Sequence, residues 1–250
     1  MIDKKKYSVT AIGNAMLDLV CEVPDQFLSQ EGISKGAMNL VSRERSNNIL
    51  ELVRPIKETA GGSAANTIST LAKLGLKTGY IGKIADDPKG KVFKEDLLNN
   101  SIFYNTDFLD QGYTEATGKC IVLITPDKER TMNTYLGATE FLTDIDIDEE
   151  LIAQSEWLYL EGYRFDGQKS KKAFYKAIEI AKKNKTKIAI TLSDSFCVDR
   201  HRSDFIYLIN VSADMVFCNE NELKSLYQIE DIKMAKEFID DSVSCLSCTC

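Results

Sequence analysis

ETAGGSAANTISTLAKLG, residues 58–75, is the stretch on which the fold turns. Two glycines open a run with apolar groups at helical spacing, from about Ala64 to Leu74, and Gly75 supplies a stop. Before it, YSVTAIG (7–13) reads as a buried strand; after it, TGYIGKI (78–84) reads as another. Strand, helix and strand together make a βαβ unit, which calls for a parallel sheet. Paired glycines at a helix start let the backbone approach a ligand closely and leave N–H groups free. GGSAAN (61–66) is neither a Walker A loop, since no Gly-Lys-Ser/Thr follows, nor the fingerprint G-x-G-x-x-G. A tight turn with Ser63 as helix N-cap explains the glycines equally well. Asn66, one turn further on, has an amide that can point back to the same mouth.

The alternation continues. Helices are predicted at 43–53, 91–100, 148–154, 168–185, 203–210, 219–228 and 231–241, and strands at 155–162, 187–193 and 213–218. The fold class is α/β, with a mainly parallel central sheet. Extra β segments at 15–23, 36–41 and 119–136, the last a hairpin around PDKE, do not fit that rhythm and suggest a small lid.

Composition excludes some functions. The formal net charge of −7 leaves no basic stripe for nucleic acid. Lys4 to Lys6, Lys171-Lys172 and Lys182-Lys183 read as solvated charge. The N-terminus has no apolar signal region, and no run approaches the roughly 20 apolar residues that span a bilayer. Cytosol is therefore expected, with Cys21, Cys120, Cys197 and Cys218 as reduced thiols.

Several side chains fall where α/β sheets bind ligands, at carboxyl ends of strands. Asp18, in GNAMLD (13–18), is placed just past the first strand and can accept two hydrogen bonds from paired sugar hydroxyls; a solvated turn is the alternative. Ser193 and Asp194, in TLSDSF (191–196), line the same edge. In NENE (219–222), Asn219 and Glu222 form a near capping box, and a phosphate with Mg²⁺ held through water would also suit them. Arg130, after the turn PDKE, reads as an exposed hairpin arginine, with reach to a phosphate or the lid mouth as the alternative. His201, the sole histidine, lies in DRHR, and no catalytic role is expected for it. CLSC (245–248) has C-x-x-C spacing but no second pair for zinc, and it follows a helix rather than a strand, unlike a redox motif.

Taken in order, GNAMLD, GGSAAN, TGKCIVLITPDKERTMNTYLGA, YLEGY, TLSDSF and N-x-x-E resemble the PfkB family of carbohydrate and nucleoside kinases, within the ribokinase-like fold. The adenosine-kinase-like branch is the most similar. The resemblance covers about residues 7 to 243. It implies a three-layer sandwich with a β-lid formed by about 15–41 and 119–136. It also implies transfer of the ATP γ-phosphate to a primary hydroxyl of a sugar or nucleoside. Under it, Asn14, Asp18, Gly61, Gly62 and Asn66 bind the small-molecule substrate, while Asn219 and Glu222 organise Mg²⁺ and phosphates without direct metal ligation. A monomer, or a homodimer through the lid, is expected.

One feature departs from the pattern. Family members carry D-T-x-G-A-G-D several tens of residues after N-x-x-E, supplying an anion hole and the catalytic Asp. The Gly-Ala pairs here are Gly36-Ala37 and Gly137-Ala138, both too early. Residues 244–250 read as a non-family Cys-rich tail on a C-terminally truncated domain. The expected consequence is impaired transfer, or a non-catalytic nucleoside- or sugar-binding protein, or a fragment without function.

Overall fold

A computed structural model describes residues 5–166, 168–240, 243 and 245–249. Seven parallel strands form the central sheet. They are β1 (Tyr7–Ile12), β5 (Thr78–Ile81), β6 (Phe103–Tyr104), β9 (Ser155–Glu161), β10 (Lys187–Thr191), β11 (Met215–Asn219) and β12 (Cys245–Thr249), in the order β12-β11-β10-β9-β1-β5-β6. The lid is a second, five-stranded sheet of β2 (Met16–Glu22), β3 (Met38–Leu40), β4 (Lys57–Gly61), β7 (Gly118–Ile124) and β8 (Arg130–Tyr135), ordered β3-β8-β7-β2-β4.

Period-2 alternation separates the two faces of the central sheet. Ile12 and Ile81 join a core with Leu158, Leu160, Phe174 and Phe205, whereas their neighbours Ala11 and Tyr80 join one with Ile68 and Phe93. Helices α6 (Gln168–Lys183) and α7 (Ser195–Val211) bury the first face. Helices α3 (Ser63–Lys73) and α4 (Pro88–Asn99) bury the second. Each fully buried Phe contributes about 1.5–3 kcal/mol. Around these lie α1 (Asp25–Gln30), α2 (Arg43–Leu52), α5 (Glu149–Ala153), α8 (Glu220–Tyr227) and α9 (Ile232–Asp240).

The lid alternates in the same way. Leu17, Leu19, Ile121 and Leu123 pack into the second core with Ile49 of α2. Met16, Asp18, Cys120 and Val122 are therefore turned to the opposite face, over the central sheet's carboxyl edge.

The structure adjusts several sequence readings. Asp18 lies inside β2, paired with Thr59 of β4 and Cys120 of β7, rather than past the end of β1. The lid also takes β4, the residues KETAG, which carry no apolar alternation to reveal a strand. Helix α7 begins eight residues earlier than 203, because Asp194 caps it by accepting from the Cys197 N–H at 2.6 Å; a kink at His201 obscures its period. Residues 245–249 extend the sheet as β12, registered Cys218↔Cys248 against β11. Main-chain pairing accounts for that strand: Ser, Cys and Thr need only fit a half-buried ladder, with Leu246 and Cys248 packed against the core.

Candidate active site

Glycine at 61 and 62 shapes the mouth of the cleft. A Cβ at Gly61 would lie 2.2 Å from Asp18 Cγ, and one at Gly62 would lie 2.1 Å from the Asn14 carbonyl oxygen. Gly62 also sits at φ 97°, in the region that favours glycine, as the cap residue of α3. The two glycines bring β4 and the start of α3 against Asn14 and Asp18. Ser63 is accordingly the first residue of α3 and not its N-cap.

The result is a cleft of ≈ 300 Å³ between the lid and the carboxyl ends of the parallel strands. Asn14, Asp18, Gly62, Ser63, Asn66 and Glu161 form its polar lining, Asp18 from the lid sheet, and Met38, Leu40, Val122, Met132 and Leu136 of the lid and its edge form its apolar roof. Arg130, exposed on the hairpin, also lines the mouth, as does Ser193. Of the sequence-predicted substrate residues, Asn14, Asp18, Gly62 and Asn66 meet here, and Gly61 backs Asp18.

Burial raises the Asp18 carboxyl to about 6; a hydrogen bond from Asn66 opposes the rise, and the Glu161 charge adds to it. An acid held there is an acceptor at neutral pH and is poised to lose that role below it.

Glu161 and Arg164 are the site residues the sequence reading missed. Glu161 ends β9 and is 1% exposed. It accepts from the Asn14 backbone N–H at 2.5 Å, from the Ala64 N–H at 3.2 Å and from the Ser63 hydroxyl. Arg164 lies three residues on and is 3% exposed. Its guanidinium donates to Asn14 Oδ1 at 2.9 Å, to the Thr139 carbonyl at 2.5 Å and to Ser170 Oγ at 2.5 Å. Burial pushes Arg164 down to about 10, and the negative charge of Glu161 resists that shift. The available signal was a Glu and an Arg beside the glycine that ends a buried apolar strand, EGYR (161–164), where unpaired charge is not tolerated.

Asn219 and Glu222 do not line this cleft. They form a full capping box on α8: Asn219 N–H donates to Glu222 Oε2 at 3.0 Å, and Glu222 N–H donates to Asn219 Oδ1 at 2.8 Å. Glu222 Oε1 accepts from Asn219 Nδ2 at 2.8 Å, so both of its oxygens are engaged, and burial raises its carboxyl. Among the described residues no group of three or more His, Cys, Asp or Glu side chains can hold a metal ion. Each Glu222 oxygen accepts one hydrogen bond and keeps a further acceptor site, which suits contact with a hydrated Mg²⁺ through water rather than direct ligation. Asp194 is likewise occupied as a cap, and His201 sits at the α7 kink beside Phe165. No helix among the described residues is long and apolar enough to cross a membrane.

The profile of the pfkB family carbohydrate kinases matches residues 32–244. A probable sugar kinase protein from Rhizobium etli CFN 42 superposes with a TM-score of 0.93 at 36% identity, covering 98% of this chain and 74% of that one. Adenosine kinase from Sinorhizobium meliloti superposes with a TM-score of 0.92 at 39% identity, with the same coverage of 98% and 74%. The 5-dehydro-2-deoxygluconokinase of Bacillus licheniformis is 28% identical over 198 residues, which is 76% of this chain and 52% of that protein. The chain thus spans about half the length of the curated relatives it matches.

Proposed function

The chain belongs to the pfkB family of carbohydrate kinases, and from that premise we propose that its cleft binds a neutral nucleoside for transfer of a phosphoryl group from ATP to the sugar hydroxyl. The observation that carries this reading is the placement of the Asp18 carboxylate, against Gly61, in the same cleft lining as Asn14 and Asn66. A carboxylate takes two hydroxyl hydrogen bonds at once, which suits a ribose diol.

Two features favour a nucleoside over a free sugar or sugar acid. The roof of Met38, Leu40, Val122, Met132 and Leu136 matches a flat, poorly hydrated group, and methionine adapts readily to such a surface. The polar lining holds two carboxylates, Asp18 and Glu161, and the lining cation, Arg130, is exposed at the rim. A substrate carboxylate would meet like charge there.

ATP would supply the phosphoryl group, and Mg²⁺ would offset the charge of its phosphates. Phosphoryl transfer depends on positioning and on stabilising charge around the γ-phosphate. The 250 residues contain no G-A-G-D segment to supply the anion hole and base. This favours a second reading for the chain taken alone: it binds the nucleoside and transfers phosphate poorly.

Titration calorimetry of the 250-residue chain with adenosine and with ribose, beside an ADP-release assay, tests both readings. Adenosine is expected to bind, and more tightly than ribose, with Asp18→Asn losing most of the affinity. No heat from either ligand at millimolar concentration would overturn the binding assignment. Turnover comparable to intact family enzymes would overturn the claim of poor transfer.

A further inference from the structure

Asn14 is held from two sides by buried ions of opposite sign. Glu161 accepts its backbone N–H at 2.5 Å, and Arg164 donates to its side-chain Oδ1 at 2.9 Å. The Thr139 hydroxyl donates to the same Oδ1 at 3.3 Å, while accepting from Ala15 N–H at 3.2 Å. Both lone pairs of the amide oxygen are therefore in use.

The orientation of that amide follows from chemistry. Arginine has five donors and no acceptor, so only the oxygen of Asn14 can face Arg164. The guanidinium cannot swing away to release it, because the Thr139 carbonyl and Ser170 Oγ hold it at 2.5 Å each. Asn14 lines the cleft, and among the described residues its Nδ2 has no protein partner.

We infer that Arg164 is a positioning residue which locks Asn14 as an obligatory hydrogen-bond donor, so that the cleft selects ligands presenting an uncharged acceptor, a ring nitrogen or an ether oxygen, at that point. This rests on the reading of the cleft as a nucleoside site and adds to it the polarity of one contact. A hydroxyl or amino hydrogen presented to Nδ2 would be left unpaired, which is how sites reject near-isosteric analogues.

Three probes separate the possibilities: adenosine, 3-deazaadenosine, in which C–H replaces an acceptor nitrogen of the base, and carbocyclic adenosine, in which CH₂ replaces the ring oxygen. Dissociation constants are measured by calorimetry on the unaltered chain, Asn14→Leu and Arg164→Met, with circular-dichroism melts to verify folding. One analogue is expected to bind the unaltered chain about tenfold more weakly than adenosine, the scale of one well-made hydrogen bond. In Asn14→Leu that preference vanishes. In Arg164→Met it shrinks to under about threefold, because the freed amide can turn either edge to the ligand. A general structural role would weaken all three probes alike and leave their ratios unchanged.

Should Arg164→Met not fold, Thr139→Val removes the hydroxyl donor from Asn14 Oδ1 while keeping Arg164, and part of the preference is expected to go. Equal binding of all three probes by the unaltered chain overturns acceptor selection. A preference that survives Arg164→Met, or Thr139→Val in its place, overturns the positioning role. If none of the probes binds, the nucleoside assignment fails and this inference fails with it, an outcome distinct from binding without preference.

Discussion

The carboxylate of Asp18 occupies the space that a side chain on Gly61 would fill: a Cβ there would come within 2.2 Å of Asp18 Cγ and Oδ1. The contact joins β4 to β2, strands whose pairing sets Met16 opposite Gly61. Gly61→Ala must therefore push Asp18 out of place or part the two strands. Overpacking of this kind costs about 1–3 kcal/mol of stability. Loss of the charge-assisted bonds from Asp18 is expected to weaken adenosine about tenfold or more. Urea unfolding and calorimetry on one preparation measure both effects. An alanine variant with unchanged affinity would show that the carboxylate is not a ligand contact.

Asp18 also sets a pH dependence. Its carboxyl is raised from 3.8 to about 6, chiefly by burial. Only the ionised form accepts two hydroxyl bonds, so adenosine affinity is expected to fall about tenfold between pH 7.5 and pH 5. Asp18→Asn should bind weakly and equally across that range. Stability moves the opposite way. An acid whose folded pKa is raised stabilises the fold fully below its unfolded value and loses that contribution as pH rises through 6. At pH 7.5 the free chain therefore carries a buried charge that Asp18→Asn removes, a gain of about 1–3 kcal/mol. Melting temperatures of the two chains should converge near pH 4. A profile without a step near pH 6 would show that Asp18 is hydrated like a surface acid.

Glu161→Gln is a harsher change than its size suggests. The carboxylate serves Asn14, Ser63 and Ala64 at once, and Arg164 lies buried three residues away. The amide keeps one acceptor oxygen and turns a donor toward groups that already donate. It also leaves Arg164 without its nearby negative charge. Such a loss is expected to cost about 2–4 kcal/mol, read as a lower denaturation midpoint in urea. Glu161→Gln with wild-type stability would mean that water satisfies these donors.

Much of this was legible in the sequence. Glycine pairing at 61–62, the apolar period of 64–74 and the strand at 7–13 led to the parallel sheet, and Asn14, Asp18, Gly62 and Asn66 do meet in one cleft. What escaped was set by tertiary pairing. KETAG has no apolar alternation, yet β2 recruits it as β4 through main-chain bonds. Glu161 and Arg164 look like surface charges when read singly; they are informative only once β9 is known to be central and its end buried. Arg130 meets both of its sequence readings at once: it is an exposed hairpin arginine, and it lines the cleft mouth. The Ser/Cys run at 245–249 has no strand signature of its own and becomes β12 only because β11 offers an edge.

Asn219 and Glu222 close the start of α8 with a capping box. Both residues are consumed by each other: the backbone N–H of each is accepted by the other's side chain, and Asn219 Nδ2 takes the remaining Glu222 oxygen. Neither touches the cleft that holds Asp18. Asn219→Ala removes the cap and leaves Glu222 half-satisfied, a loss of about 1–2 kcal/mol. Because the damage is confined to the start of α8, adenosine affinity should stay within about twofold of the unaltered chain at temperatures where both are folded. Phosphate transfer is the readout that divides the two roles given to this pair. If Asn219 and Glu222 serve only as a cap, residual ADP release falls no further than the folded fraction does. If they also organise the phosphates, ADP release falls while nucleoside affinity and folded fraction hold.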